Sequence, residues 1–220
     1  LDVQYYQLQR DSVGLRFLRE LAAAARRGVR VRLLVDDLYT THSDPLLRGL
    51  ASFPNIEVRL FNPFCCNRSS GVSGRYTASI FDFGRLNHRM HNKLFIADGV
   101  MAVAGGRNIA DEYFLRAADA NFIDMDAFVV GAVVKSMAQI FDRYWNSEVV
   151  YPIEAVGEPL GDKAARVIMP TGAEDIGEVY ELRTLRPKGE IAARLAAIIG
   201  PAEELYWRGM LQDELTRRYG

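Results

Sequence analysis

The first 37 residues constrain the fold most, because they write a complete strand-helix-strand unit. Val3 to Leu8 is short, aromatic and β-branched, as a buried strand is. Asp11 or Ser12 can cap a following helix, Leu15, Leu18, Leu21, Ala22 and Ala25 form its apolar stripe, and Gly28 is placed to stop it in the left-handed conformation. Val29 to Asp37 alternates and then turns wholly apolar before two carboxylates, which makes it a second strand. Two strands joined by a helix pair in parallel, and the helix covers one apolar face.

The βα alternation continues. Ser43-Asp44-Pro45 opens a second helix with an acidic cap, and Ile56 to Phe61 is the next strand. Cys65 to Leu86 loosens into Asn, Ser and Gly, a loop long enough to be functional more often than idle. Lys93 to Ala97 and Val100 to Ala104 flank Asp98-Gly99, a strong hairpin signal. Asp124 to Val130 reads as a further strand, and Val134 to Trp145 as a helix with Met137, Ile140, Phe141 and Trp145 toward the core. The expected architecture is α/β, with a mixed, largely parallel central sheet flanked by helices. Residues 1–153 form this lobe, and 154–220 form a divergent extension broken by Pro159, Gly161, Pro170, Gly172 and Gly177, with helical patterns over 188–199 and 201–219.

Composition narrows the function classes. With 27 Lys plus Arg against 28 Asp plus Glu the formal charge is -1, so nothing marks a globally cationic nucleic-acid protein. The two cysteines, Cys65 and Cys66, are adjacent, which supplies neither a disulfide framework nor a four-ligand zinc cluster and leaves the redox compartment open. No apolar run is long enough for a transmembrane helix. The chain opens directly on a strand, which suggests a piece of a longer protein whose anchor or signal would lie upstream.

Chemistry concentrates in Asn87-His-Arg-Met-His-Asn-Lys93. On the period of two, His91, Lys93 and Phe95 share a strand face, so an imidazole stands beside an ammonium. Lys93 offers fixed charge to an anionic oxygen and His91 offers a base or nucleophile near neutral pH, a combination suited to phosphate. Asp98 can orient the imidazole or balance charge, and Gly105, Gly106 and Asn108 can bring backbone and amide to the same anion. A surface hairpin with polar ends accounts for the same residues. Metal binding is a poorer reading, because Lys is a poor ligand and His42 sits in another loop.

His91-Asn-Lys93-Leu-Phe-Ile-Ala-Asp98-Gly99 with Ala104-Gly-Gly-Arg-Asn108 resembles the His-x-Lys-x4-Asp signature of the phospholipase D superfamily and its trailing Gly/Ser-x-Asn element. Leu1 to Tyr6, Arg27 to Asp37, Phe61-Asn-Pro63 and Asn108 to Tyr113 look most like the first half of a bacterial cardiolipin synthase. The resemblance implies two lobes, each giving one motif, with the histidines facing across a phosphodiester. His91 would attack phosphorus and form a phosphohistidine, Lys93 and Asn108 would neutralise phosphate oxygens, and Glu112 would match an acidic position of less certain duty. The product would be cardiolipin made from phosphatidylglycerol at a bacterial membrane surface, with no metal or nucleotide cofactor.

The chain departs from that pattern in one respect. No histidine follows His91, and the later lysines are Lys135, Lys163 and Lys188, so a second motif is missing. A second lobe of a longer chain, or a second copy as in homodimeric nucleases of the superfamily, would complete the site; a truncated non-catalytic lobe is the remaining alternative. Asp36 and Asp37 end a parallel strand, where such folds carry functional groups or turn-forming ones. Arg68, Arg75, Arg85 and Arg89 make the middle loop cationic and are interleaved with Tyr76, Ile80, Phe81 and Phe83. This reads as a lip for anionic phospholipid, with nucleic acid less favoured, and a merely solvated loop accounts for the same residues.

Overall fold

Each βα crossover carries the chain back to the same end of the sheet, and the first three strands of the protein follow that rule. In the computed structural model, which describes residues 1–64, 68, 72–78 and 82–156, β1 (Asp2–Tyr5) is followed by α1 (Ser12–Arg26) and β2 (Val31–Asp36), then α2 (Asp44–Ala51) and β3 (Ile56–Phe61). β1 pairs with β2 and β2 with β3, both in parallel, with Val3 beside Leu33 and Leu33 beside Val58.

Local signals set the ends of α1. Asp11 stands at the N-cap in extended conformation and its carboxylate accepts from the Gly14 amide at 2.9 Å. Gly14 is obligatory, since a Cβ there would collide with the Gln9 carbonyl oxygen. Gly28, at φ +90°, turns the chain out of the helix. At the start of α2 the N-cap residue Ser43 makes no side-chain cap bond, while the acidic Asp44 and Pro45 stand in the first turn as expected and the Asp44 carboxylate accepts from the buried Arg68.

After β3 the crossover pattern stops. Two short helices, α3 (Val72–Ala78) and α4 (Phe83–Leu86), lie within the long connection to β4 (Lys93–Ala97). β4 enters beside β1 antiparallel, with Tyr5 opposite Lys93. Asp98 and Gly99, at φ 53° and 67°, form the tight turn to β5 (Met101–Gly105), both central residues left-handed as a type I′ turn requires. β6 (Asp126–Val130), α5 (Ala132–Trp145), β7 (Val150–Pro152) and α6 (Ile153–Val156) complete the described elements.

The strand order is β6-β5-β4-β1-β2-β3-β7. Four of its six pairings are antiparallel and two parallel, so the largely parallel sheet expected from the sequence is corrected to a mixed sheet that is mostly antiparallel. The reason is local. A helical crossover forces parallel pairing, whereas the two-residue Asp98-Gly99 turn forces antiparallel pairing, and only the first two connections are crossovers.

Both faces of the central strands are buried. On one side Val3, Leu33, Val35, Val58 and Leu60 pack with Leu18, Leu21 and Ala22 of α1 and Leu46, Leu47 and Leu50 of α2. On the other, Leu34, Leu94, Ile96 and Ala102 pack with Val134, Phe141 and Trp145 of α5. Two-sided burial explains why β2 reads as a nearly continuous apolar run. Phe141 and Trp145 are core residues as expected, whereas Ile140 lies on the more exposed side of its helix at 38% exposure. The sequence readings at Cys65, Cys66, Ile80, Phe81 and residues 157–220, and those on the side chains of Tyr76 and Phe83, fall outside the described residues.

Candidate functional site

One edge of the sheet gathers the chemistry. The parallel strands β1, β2 and β3 end there, β4 begins there, and the antiparallel β5 ends there, so Tyr5, Asp36, Phe61, Lys93 and Gly105 stand at neighbouring strand ends.

At its centre the Lys93 ammonium lies 3.0 Å from Nδ1 and 3.2 Å from Nε2 of His91, and donates to the His91 carbonyl at 3.0 Å. An ammonium is a donor only, so in this contact the imidazole is the acceptor. Lys93 is 8% exposed and His91 half-buried, so the imidazole remains within reach of solvent while the ammonium stands behind it. Tyr6, the residue after β1, lays its ring 4.5 Å from the imidazole and 5.3 Å from Nζ; Tyr39 meets Tyr6 edge to face at 5.2 Å. An aromatic face beside a cation is attractive and holds the ammonium in place.

The segment after β5 forms one wall. Leu8 and Ile109 form a parallel bridge, and Gln7 and Gln9 exchange backbone bonds with Ile109 at 3.1 and 2.9 Å. This seats Asn108 behind the Tyr6-Gln7 corner: its Oδ1 accepts from the Gln7 amide at 3.1 Å and its Nδ2 donates to the Tyr113 hydroxyl at 2.9 Å. Glu112 accepts from the Gln7 side chain at 3.1 Å. Burial pushes the Tyr113 phenol up, the Asn108 bond opposes it, and the charges of Glu112 and Asp124 add to the rise.

The two glycines have a steric duty. A Cβ on Gly105 would meet the Met125 carbonyl and lie 2.6 Å from the Asp126 Cα, and one on Gly106 would meet the Asp124 carboxylate. Their missing side chains therefore admit the β6 strand and two carboxylates, an unfavourable setting for an anion. Asp98 lies at the opposite end of β4, exposed, five residues from Lys93 or about 16 Å of strand at ~3.3 Å per residue. The structure thus brings together His91 and Lys93, backs them with Asn108 and Glu112, gives Gly105 and Gly106 to strand packing, and keeps Asp98 apart.

Below the pair, β2 supplies Asp36, wholly buried. Its Oδ2 accepts from the Met90 amide at 2.8 Å, and its Oδ1 accepts from the Leu38 amide at 2.9 Å and from Arg89 at 3.2 Å. Burial pushes this carboxyl up to about 7, while Arg89 and the two amides pull the other way and Asp37 adds to the rise. Asn62, in left-handed conformation just past β3, donates to the carbonyls of Arg85 and His88, both at 2.7 Å.

The cationic lip expected from the middle loop is corrected. Arg68 is buried and donates to Asp37 at 2.5 and 2.9 Å and to Asp44 at 2.8 and 2.7 Å. Arg75, also buried, donates to the Asp37 and Arg68 carbonyls at 2.6 Å. Arg85 pairs with Asp82 and Asn62, and Arg89 with Asp36 and the Asn62 carbonyl. These side chains bind the loop to the strand ends, so their charge is met inside the protein. A count of charges along the chain missed this because Asp36, Asp37 and Asp44 lie 24 or more residues away from Arg68 in sequence. Tyr6, Tyr39 and Tyr113 were also not marked by spacing as site residues; the only local hint was their polar aromatic type beside strand ends.

Among the described residues, no group of three or more His, Cys, Asp or Glu could hold a metal ion, and no helix is long and apolar enough to cross a membrane. The fold and the paired His and Lys at the strand ends define an α/β lobe of phospholipase D type. Residues 1–145 match the family model described as cardiolipin synthase, PLD-like domain, and the chain belongs to that family. It is 48% identical over 171 residues to Cardiolipin synthase C of Escherichia coli, covering 77% of this chain and 35% of that protein. An uncharacterized protein of Helicobacter pylori is 41% identical over 155 residues, covering 70% and 30%. A Cardiolipin synthase of Staphylococcus aureus is 29% identical over 147 residues, covering 66% and 27%. The chain therefore spans about a third of the length of the curated relatives it matches. Its superfamily chemistry is phosphodiester transfer.

Proposed function

We propose that this lobe carries the nucleophilic half of a phosphatidyltransferase site that makes cardiolipin from phosphatidylglycerol. A neutral His91 nitrogen attacks phosphorus, the bond from phosphorus to the glycerol headgroup breaks, and the departing oxygen takes a proton from an acid on a second motif. A hydroxyl of a second phosphatidylglycerol then gives its proton back to that second-motif group as its oxygen attacks the phosphohistidine, the P–N bond breaks, His91 is released, and cardiolipin leaves. Splitting one displacement into two lowers each barrier, and Lys93 neutralises the charge that builds on the phosphate oxygens. The observation that carries this reading is the Lys93 ammonium 3.0 Å from the His91 ring at a strand-end edge. The identity to Cardiolipin synthase C supports the choice of substrate. The second histidine is supplied by another lobe or another copy, since none follows His91 in this chain.

The test incubates the purified chain with vesicles of phosphatidylglycerol across a range of protein concentrations, with single- and double-stranded DNA and RNA in parallel. Cardiolipin and free glycerol should appear together, rise more steeply than linearly with protein if two copies share a site, and vanish in His91→Ala and Lys93→Ala. Cleavage of nucleic acid without cardiolipin would replace the lipid reading with a nuclease. No turnover at any concentration, and no acid-labile adduct on His91, would reduce the chain to a non-catalytic lobe.

A further inference from the structure

The wholly buried Asp36 is not needed for phosphate chemistry and is costly to bury, so its retention at a strand end asks for a reason. Its two oxygens take three bonds, and two of them come from Arg89 and Met90, the residues directly before His91. The third, from Leu38, fixes the carboxylate against its own turn. Arg89 also donates to the Asn62 carbonyl at 2.5 Å and stacks over Phe64 at 5.5 Å. Met90 is 1% exposed and accepts at sulfur from Gln4 of β1 at 2.9 Å. The backbone thus arrives at His91 from a residue pinned on both main chain and side chain, with the pin on β2 and the ammonium on β4.

We infer that Asp36 is a positioning residue, whose carboxylate, acting through the Met90 amide and the Arg89 guanidinium, sets where the His91 imidazole stands against Lys93. The inference deepens the proposed function and rests on His91 as the reacting group. Displacement of an attacking atom by about 1 Å is enough to lower a rate by orders of magnitude, so an anchor of this kind governs turnover without touching substrate. Among the described residues, the charged groups acting on Asp36 are Arg89 from the segment before β4 and Asp37 from its own turn. Protonation of Asp36 weakens the bonds to Arg89 and Met90, so the anchor loosens as pH falls through neutrality.

The experiment reads position directly, using the full 220-residue chain labelled with 15N and with 13C on its three histidines. In the native chain the Met90 amide proton should titrate with a midpoint near that of the Asp36 carboxyl. In Asp36→Asn that titration should vanish and the His91 ring resonances should move, with the unfolding midpoint measured alongside to show that the chain is folded. Asp142→Asn, a carboxylate of α5 that accepts from Arg32, should leave the His91 ring signals in place. Arg89→Gln removes one arm of the anchor and should shift the same ring signals, which keeps the test decisive if Asp36→Asn does not fold. A Met90 amide that is flat in pH, or His91 signals unmoved in both variants, overturns the inference. Failure to make cardiolipin would overturn the proposed function and leave these spectra unaffected, so the two failures are distinguishable.

Discussion

Replacing Arg68 with Met should destabilise the whole lobe, because Arg68 ties the long connection ahead of His91 to Asp37 and Asp44. Arg68 is 6% exposed at its side chain and donates four hydrogen bonds, two to Asp37 and two to Asp44, themselves at 0% and 6%. Met keeps the length of the stem and removes the charge, which leaves two buried carboxylates without their main counterion. Breaking a buried pair from one side costs about 3–5 kcal/mol. Asp37 retains the Phe64 amide at 2.8 Å and Arg75 at 3.8 Å, so the lower part of that range, about 3 kcal/mol, is expected. In a chain of this size that is a fall of about 6–12 °C in melting temperature. Equilibrium unfolding in urea measures it, and the added change Asp44→Leu in the Arg68→Met background should recover part of the loss by removing one of the two buried carboxylates that lose the guanidinium. A loss under about 1 kcal/mol would refute the argument, since that is the value of an exposed pair, and would return these arginines to the loop surface.

Other outcomes follow from the same geometry. Gly105→Ala should cost about 1–3 kcal/mol in unfolding experiments, because the new methyl meets the Met125 carbonyl and the Asp126 Cα of the neighbouring strand, neither of which can turn aside. Asp98→Asn should leave stability within about 0.5 kcal/mol, since Asn adopts the left-handed turn and the side chain is exposed; a large loss would show a partner for Asp98 that the hairpin does not provide. The pH dependence of stability should carry the mark of Asp36. Its folded carboxyl is raised to about 7 from an ordinary 3.8, so the folded state holds the proton longer and stability falls as pH rises between those values, by at most about 1.4 kcal/mol per pH unit. Asp36→Asn should flatten that slope, and a slope unchanged in the variant would assign it to other groups.

Much of the site was legible because it is contiguous. His91 and Lys93 lie two apart where β4 begins, and extending the strand's period of two back to His91 predicts that they share a face; their side chains stand 3.0 Å apart. Asp98-Gly99 was readable as a hairpin from its dipeptide, and the same turn explains why the sheet is not largely parallel, a consequence the reading of separate strands did not carry through. The apparent cationic lip failed for the opposite reason. Charge along a segment says nothing of what folds against it, and Arg68 meets Asp37 and Asp44 across 31 and 24 residues.

The sequence by itself determined what is local: the strand and helix periods, the α1 cap and stop, the hairpin, the adjacency of imidazole and ammonium, and the family. Only the tertiary structure decided which strands are neighbours, that Asp36 of β2 grips the backbone ahead of His91, and that Gly105 and Gly106 make room for Asp124, Met125 and Asp126. The division is physical. Periodicity and turn chemistry act over a few residues and are written in order, whereas burial and ion pairing depend on which distant segments share a volume, and that is settled when the core closes.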